Sequence, residues 1–436
     1  MQALLSFEQS PPLAAPLRFF LTAPLFAIVA ALLLLWSGPE LFASRWTSSA
    51  LAVTHLITVG FMLQVMLGAM VQILPVIAGA NISRPLLVAT LVHAVTALGA
   101  LLLASGFLSF QALAFQLAAA LIGSGVALFA LAAGRALYKV PAGNPTIRGL
   151  KLSLIGLMVT VVLGMLLAIA LGGSLALPLM QLTSIHLGWG FIGWSVVLLA
   201  AVAFVVVPMF QITPAYPAWF TNSFSSLLLA LLVLWSVSDG AGWELWSTVF
   251  ATTAVLTVAS FAVLTLQLQR RSKRARFDAT QHYWRLAMLC ALAACALWFA
   301  ASNWPTLADR REWSLLCGVL TLVGGFMSVM IGMLYKIVPF LVWSHLQNLG
   351  RGRVMAPNMN KVIAGDQINR QMQAHFGAVA LLLAAVLWPA WFTYPAGLAL
   401  LLANGWLLRN LLAAVTFYRQ HRLKIENLPP VAAAPR

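Results

Sequence analysis

Histidine is the residue type in this sequence best suited to chemistry, because the apolar stretches around it hold few other ionisable groups. His55 lies near the start of a stretch that runs from 54 to 79, and His186 lies near the start of a second one, at 184–208. A histidine inside a hydrocarbon-length helix is costly unless a partner satisfies it or a function uses it. Neutral imidazole is the usual ligand of haem iron and copper, so both residues are candidate cofactor and metal ligands.

The composition indicates the elements that must position these histidines. The 436 residues are 62% hydrophobic and only 8% charged, whereas roughly 25% of the residues of a soluble domain are charged. The apolar residues form runs of about 18 to 25, which is long enough to cross a bilayer. The sequence therefore predicts an all-α, polytopic membrane helical bundle in contact with lipid.

Twelve apolar runs predict twelve transmembrane helices within one membrane domain, 1–436. Two basic connections cut this domain into three pseudo-repeats of four helices, at about 18–138, 148–269 and 282–418. The predicted spans are 18–37, 49–78, 86–107, 110–134, 150–172, 177–208, 222–238, 244–268, 284–302, 313–343, 374–390 and 393–418.

The positive charges predict the topology. With the N-terminus in the cytoplasm, 22 of the 25 lysines and arginines fall on cytoplasmic segments, and only Arg45, Arg310 and Arg311 fall outside, as the positive-inside rule requires. We therefore expect both termini inside, a cytoplasmic loop at 344–373 and a disordered tail at 423–436. The net charge of +16 follows from this topology, and we expect no nucleic-acid partner.

The second helix of each block carries a related pattern, which predicts that spans two, six and ten form the inner set. Chance is the alternative, because glycine, leucine and phenylalanine are common in membrane helices and the glycine-to-proline spacings differ. The patterns are His55-Leu, Gly60-Phe and Pro75; His186-Leu, Gly190-Phe and Pro208; and Thr321-Leu, Gly325-Phe and Pro339.

His55 and His186 are predicted to share a depth in the membrane. Both helices run from outside to inside, and at 1.5 Å per residue each histidine lies roughly 10 Å below the outer interface. The two side chains can then face one another or a single cofactor. The alternative is that both are bonded to backbone carbonyls or to nearby hydroxyl groups, from Thr54, Thr58, Thr183 or Ser184.

Other polar residues in the spans are weaker candidates. Gln64 and Gln72 lie on one face of the His55 helix, where they can bond the polar edge of a cofactor or a neighbouring helix. His93 is a candidate ligand or proton relay near the cytoplasmic side. His345 and His375 can join it in an inner site, or lie in water at the interface.

Sulfur ligands are a further possibility. Cys317 lies at a depth comparable to that of His55 and is a candidate soft metal ligand. Methionines on spans two and ten suit Cu(I), or they fill space in the bundle. Lys336, about a turn from the inner end, is expected to extend its ammonium group to the interface.

One stretch resembles a known family. The pattern resembles the second-helix region of NnrS-type membrane proteins, which are similar in outline to subunit I of the haem–copper oxidases, with twelve helices in three pseudo-repeats. The residues that carry the resemblance are His55, Gly60-Phe61, Gly68, Pro75, Gly79 and Arg84-Pro85.

The resemblance implies binding of haem b, with copper as a further cofactor, in a bacterial inner membrane protein of nitric-oxide and nitrosative-stress metabolism or respiratory redox metabolism with a redox partner. The binuclear centre of an oxidase is not expected, because span seven and the outer half of span ten contain no histidine. The alternatives are a permease for a small solute and an assembly partner of a respiratory complex.

Overall fold

The computed structural model describes residues 10–173, 175–350 and 354–427, and within these ranges every regular element is a helix. Twelve helices are long and apolar enough to cross a membrane, which confirms the predicted all-α polytopic bundle. They are α1 Ala14–Ala43, α2 Ser48–Ala78, α3 Pro85–Ser109, α4 Ala112–Tyr138, α5 Pro145–Leu171, α6 Leu179–Gln211, α7 Ala218–Gly240, α8 Glu244–Arg270, α9 Ala279–Asn303, α10 Arg311–Gly350, α11 Gly365–Leu387 and α12 Pro389–Glu426.

Two predicted irregular segments are partly helical. α10 continues to Gly350 and α11 begins at Gly365, so the predicted loop 344–373 is too long. The first residues of this segment are partly polar, but one side of the helix is buried, because Ser344 and Leu346 pack inside the bundle. α12 likewise includes the start of the predicted tail 423–436, and the residues after 427 lie outside the described ranges.

The twelve helices close into a ring with internal threefold repetition. In every block the first helix packs along the second, the third packs along the fourth, and the fourth packs against the first helix of the next block. The contact of α12 with α1 completes the ring. α2, α6 and α10 are more completely buried than the other nine spans, so they form the inner set.

Each inner helix contains one π-helical segment at the same place. These three π-segments are Leu56–Met62, Trp189–Val196 and Leu320–Met327. π-helical hydrogen bonding is rare and is frequent at functional sites. In each inner helix a proline follows the first residue of the π-segment at a separation of 19 positions, and these prolines are Pro75, Pro208 and Pro339. The repeat is therefore present in the backbone conformation as well as in the residue pattern.

The structure corrects the register of the sequence repeat. The fifth residue of each π-segment is Gly60, Gly193 or Gly324, and each of these precedes its proline by 15 positions. The residue pattern alone aligns Gly190 and Gly325 with Gly60, because a phenylalanine follows each of these glycines. With the correct glycines the three spacings are identical.

Small residues hold each first helix against its inner helix at two levels. The contacts at the π-segments are Gly60 with Phe26, Gly193 with Gly156, and Gly324 with Cys290. The contacts eight residues later on the inner helices are Gly68 with Phe19, Ala201 with Gly149, and Gly332 with Tyr283. The partners on the first helices are spaced by seven residues in every block. In lipid, where apolar side chains gain little by associating, small residues favour close packing of the helices.

We predict that Gly156→Ala destabilises the protein more than any exposed glycine replacement. A Cβ atom at Gly156 would lie 2.1 Å from the backbone oxygen of Gly193, so one helix must shift, at a cost of about 1–3 kcal/mol. Gly134→Ala is the control, because its Cβ meets no atom within 4 Å. Unfolding in mixed micelles of increasing SDS content measures both, and equal midpoints for the two variants would contradict the close contact.

The end of the bundle at which α2, α4, α6, α8 and α10 finish is here termed the basic end. At this end an ion-pair cluster connects the start of α9 to α10. Asp278 caps α9 through the Gln281 N–H, and its Oδ2 lies 2.6 Å from Arg274 Nη1 and 2.7 Å from Lys336 Nζ. Lys336 therefore pairs with a carboxylate within the protein, where snorkelling to the interface was predicted. Burial opposes ionisation of Asp278, but Lys336, the Gln281 N–H and Arg274 outweigh it and hold its pKa below the ordinary value.

This cluster predicts an acid-sensitive term in stability. Because the pKa of Asp278 is lower in the folded protein, its contribution is complete above the ordinary value of 3.8 and is lost as the pH falls through the folded value. We expect Asp278→Asn to flatten the dependence of the unfolding free energy on pH below the ordinary value of 3.8. Asp309→Asn, at an exposed position at the other end, is the control and should leave that dependence unchanged.

Candidate functional site

His55 lies in α2 immediately before the first π-segment. Its Nδ1 lies 2.8 Å from the backbone oxygen of Leu51, and its ring stacks on Phe107 of α3 with centroids 4.7 Å apart. A carbonyl oxygen only accepts, so Nδ1 carries the proton and Nε2 carries a lone pair. No described hydrogen bond involves that Nε2.

His186 in the second block also bonds a backbone carbonyl through Nδ1, but the carbonyl belongs to a neighbouring helix. It lies three residues before the second π-segment, and its Nδ1 donates to the backbone oxygen of Thr160 on α5 over 3.0 Å. Gly164, one turn further along α5, makes room for the ring, since a Cβ there would lie 3.0 Å from the imidazole Cε1. Nε2 of His186 likewise takes part in no described hydrogen bond.

The structure brings these two histidines together. They interact electrostatically with one another, and both are half-buried. The segment Leu179–Gly188, which carries His186, has no buried residue although it belongs to an inner helix. Both imidazoles therefore lie near the starts of α2 and α6, in segments that are less completely buried than the rest of these inner helices.

Cys317 occupies the position of the third block that corresponds to His186, three residues before its π-segment. Its Sγ lies 3.7 Å from the backbone oxygen of Ala294 on α9, and it interacts electrostatically with Cys295. No contact in the described parts of the chain joins it to His55 or His186. As a ligand of the same metal it remains a prediction that the geometry does not support.

The other predicted cofactor ligands connect helices to one another. His93 Nε2 lies 2.8 Å from Thr22 Oγ1 on α1. Gln64 Nε2 donates to Thr96 Oγ1 on α3 over 3.0 Å, and Gln72 reaches the segment before α1. This matches the alternative of inter-helix hydrogen bonding, and none of the three contacts the histidine pair through a described hydrogen bond.

His345 and His375 are bonded within the protein, where exposure to water at the interface was the favoured expectation. Both ring nitrogens of His345 face carbonyl oxygens, those of Leu341 and Pro11. His375 is fully buried, with Nε2 2.8 Å from Ser328 Oγ. The sequence held a signal for the burial of His375, because Gln367, Gln371 and His375 recur every four residues and so share one helix face.

The donor set limits which metal the pair fits. The described residues contain no group of three or more His, Cys, Asp or Glu side chains able to hold a metal ion, so a closed tetrahedral zinc-type site is not formed there. Two imidazoles do suit haem iron, whose porphyrin supplies the remaining ligands, or Cu(I). The backbone carbonyls that fix the Nδ1 protons are the second-shell partners that ligating histidines require.

Sequence comparison adds no assignment to this geometry. No known protein family matches the chain, and no curated protein is detectably similar to it. The function of the chain therefore has to be inferred from the arrangement of its side chains.

We predict that His55 and His186 are both neutral Nδ1–H tautomers at neutral pH, because each Nδ1 donates to a carbonyl oxygen. Solid-state NMR of lipid-embedded protein with ¹⁵N-labelled histidine rings distinguishes the two nitrogens, and His55→Asn and His186→Asn variants assign the signals. A protonated Nε2 at either residue would contradict the free lone pair.

Proposed function

We propose that this chain is an integral membrane haem protein in which His55 and His186 are the iron ligands. The observation that carries the proposal is that His55 and His186, on two inner helices, each bond a backbone carbonyl through Nδ1, while Nε2 takes part in no described hydrogen bond. Haem b is the cofactor we favour, and copper is the second metal that this donor set suits.

A comparison among the membrane histidines supports a ligand role. Nε2 has a hydrogen-bond partner in His93, His345 and His375. In His55 and His186 only Nδ1 has one. In His93 and His375 the ring nitrogen without a described partner is Nδ1, whereas in His55 and His186 it is Nε2. Free Nε2 atoms at two neighbouring histidines are what a ligand pair requires.

The surrounding residues have defined roles in this proposal. The backbone oxygens of Leu51 and Thr160 orient the two rings and increase the basicity of Nε2. Phe107 holds the His55 ring by stacking, and Gly164 lets the His186 ring lie against α5. When bound, haem supplies one-electron and diatomic-gas chemistry, while these residues fix the ligand geometry.

The biological setting follows from charge and from resemblance. With the basic end in the cytoplasm, both termini are inside and the histidine pair lies toward the opposite face of a bacterial inner membrane. Such a position suits redox or nitric-oxide chemistry of the kind implied by the NnrS-like stretch around His55. Electrons would come from a respiratory-chain or similar redox partner.

An absorption spectrum tests the proposal directly. Protein purified from haem-replete cells should show a Soret band, and His55→Ala and His186→Ala should each abolish or shift it, because each removes one iron ligand. His421→Ala is the matched control, since that histidine bonds only the carbonyl of Phe417 near the end of α12.

A colourless preparation that contains neither iron nor copper by elemental analysis would overturn the proposal. A Soret band unchanged by both ligand substitutions would do the same for the assigned residues, because haem would then be held elsewhere.

A further inference from the structure

Buried polar side chains line the third block between the basic end and the middle of the bundle. On α11, Gln367, Gln371 and His375 lie four residues apart and so share one face. On α10, Ser328 and Tyr335 lie seven residues apart on the facing side. Polar groups inside a membrane span are expensive and mark functional paths.

The burial of these residues increases steadily along the line. Asp366, at the start of α11, is exposed, and its Oδ2 accepts from Gln367 Nε2 over 3.1 Å. Next come Tyr335 and Asn410, each 4% exposed, with Asn410 Nδ2 3.0 Å from the Tyr335 hydroxyl. Asn410 Nδ2 also lies within hydrogen-bond distance of the backbone oxygen of Gln367. This contact connects Asn410 and Tyr335 to the exposed start of α11 at Asp366.

The inner half of the line is fully enclosed. The Tyr283 hydroxyl donates to Gln371 Oε1 over 2.5 Å, and Tyr283 packs against Gly332, one turn before Tyr335 on α10. The Tyr283 ring contacts the His375 ring with centroids 5.5 Å apart. Tyr283, Gln371 and His375 are all 0% exposed.

The line of polar side chains ends at the imidazole of His375. Ser328 Oγ lies 3.1 Å from the backbone oxygen of Val323, inside the third π-segment, and 2.8 Å from His375 Nε2. The serine hydroxyl has one proton, and it donates that proton in the hydrogen bond to the Val323 carbonyl. His375 Nε2 must therefore be the donor in its hydrogen bond with the serine. Nδ1 of His375 then carries a lone pair, is buried, and has no partner among the described residues.

The other two blocks do not repeat this line. The residues that correspond to Tyr283 in the threefold register are Phe19 and Gly149. The residues that correspond to Ser328, eight positions after the start of each π-segment, are Gln64 and Val197. A polar path is therefore a property of the third block and not of the scaffold.

We propose that His375 is an internal proton site, loaded from the basic end through Asp366, Tyr335 and Tyr283. A proton taken up at Asp366 is passed between the tyrosine hydroxyls, each gaining one proton as it gives up another, and the last forms an N–H bond at His375 Nδ1. No electron moves and no further reactant is needed. Gln371 and Asn410 position the hydroxyl groups.

The test measures how fast solvent protons reach the buried histidine. Protein with ¹⁵N-labelled histidine rings, embedded in lipid, is transferred to D2O, and loss of the His375 N–H signal is followed by solid-state NMR. His375→Gln assigns the signal. We expect exchange within minutes, and exchange slowed by about tenfold or more in Tyr335→Phe, which removes one relay hydroxyl.

Tyr216→Phe is the matched control, because Tyr216 is also a buried tyrosine that bonds one side chain, Thr265, but lies in the second block. It should leave the exchange rate unchanged. Asp366→Asn, at an exposed position whose described side-chain contact is with the adjacent Gln367, should slow exchange severalfold and provides a second variant if Tyr335→Phe is unstable.

Absence of exchange over a day in the unmodified protein overturns the proposal, and so do equal rates in the unmodified protein, Tyr335→Phe and Asp366→Asn. The measurement requires no haem, so its outcome is independent of the proposed function.

Discussion

The close approach of each first helix to its inner helix is the interaction on which the rest of the structure depends. In lipid the helices gain little from burying apolar side chains, so contact between backbones supplies much of the association energy. The two levels of small residues, such as Gly60 and Gly68 against α1, repeat in all three blocks and fix how far each inner helix enters the bundle. They thereby fix the places of His55 and His186, because both lie only a few residues from a π-segment.

The same scaffold carries different chemistry in each block. At the eighth position after the start of the π-segment, the first block joins Gln64 to Thr96 and the third joins Ser328 to His375. The second block has an apolar residue there, Val197. Near the starts of α6 and α10, His186 and Cys317 hold equivalent positions, and each bonds a carbonyl oxygen of the first helix of its own block. Threefold packing thus sets positions, and single residues set what each position can do.

Much of the fold was predictable, because hydrophobicity and length alone define spans in a membrane. The register of the repeat was not, since Gly190 and Gly193 are both present within one π-segment and only the backbone shows which one matches Gly60. The free Nε2 of His55 was also beyond prediction. Its bond to the backbone oxygen of Leu51 depends on the ring rotamer, which the sequence does not specify. His375 was misjudged because a polar residue near a predicted boundary is ordinarily solvated.

The π-segments have a consequence for how the inner helices can change over time. A π turn holds more residues than the 3.6 of an α turn, so the part of α2 before Leu56 is rotated relative to a continuous α-helix. Two different stripes of the same helix can then face two different neighbours: one meets α1 through glycines, and the other carries His55 toward α3. The rotation at the π-segment thus separates the packing of α2 against α1 from the packing of the segment that carries His55, so this segment can shift without repacking the rest of the bundle.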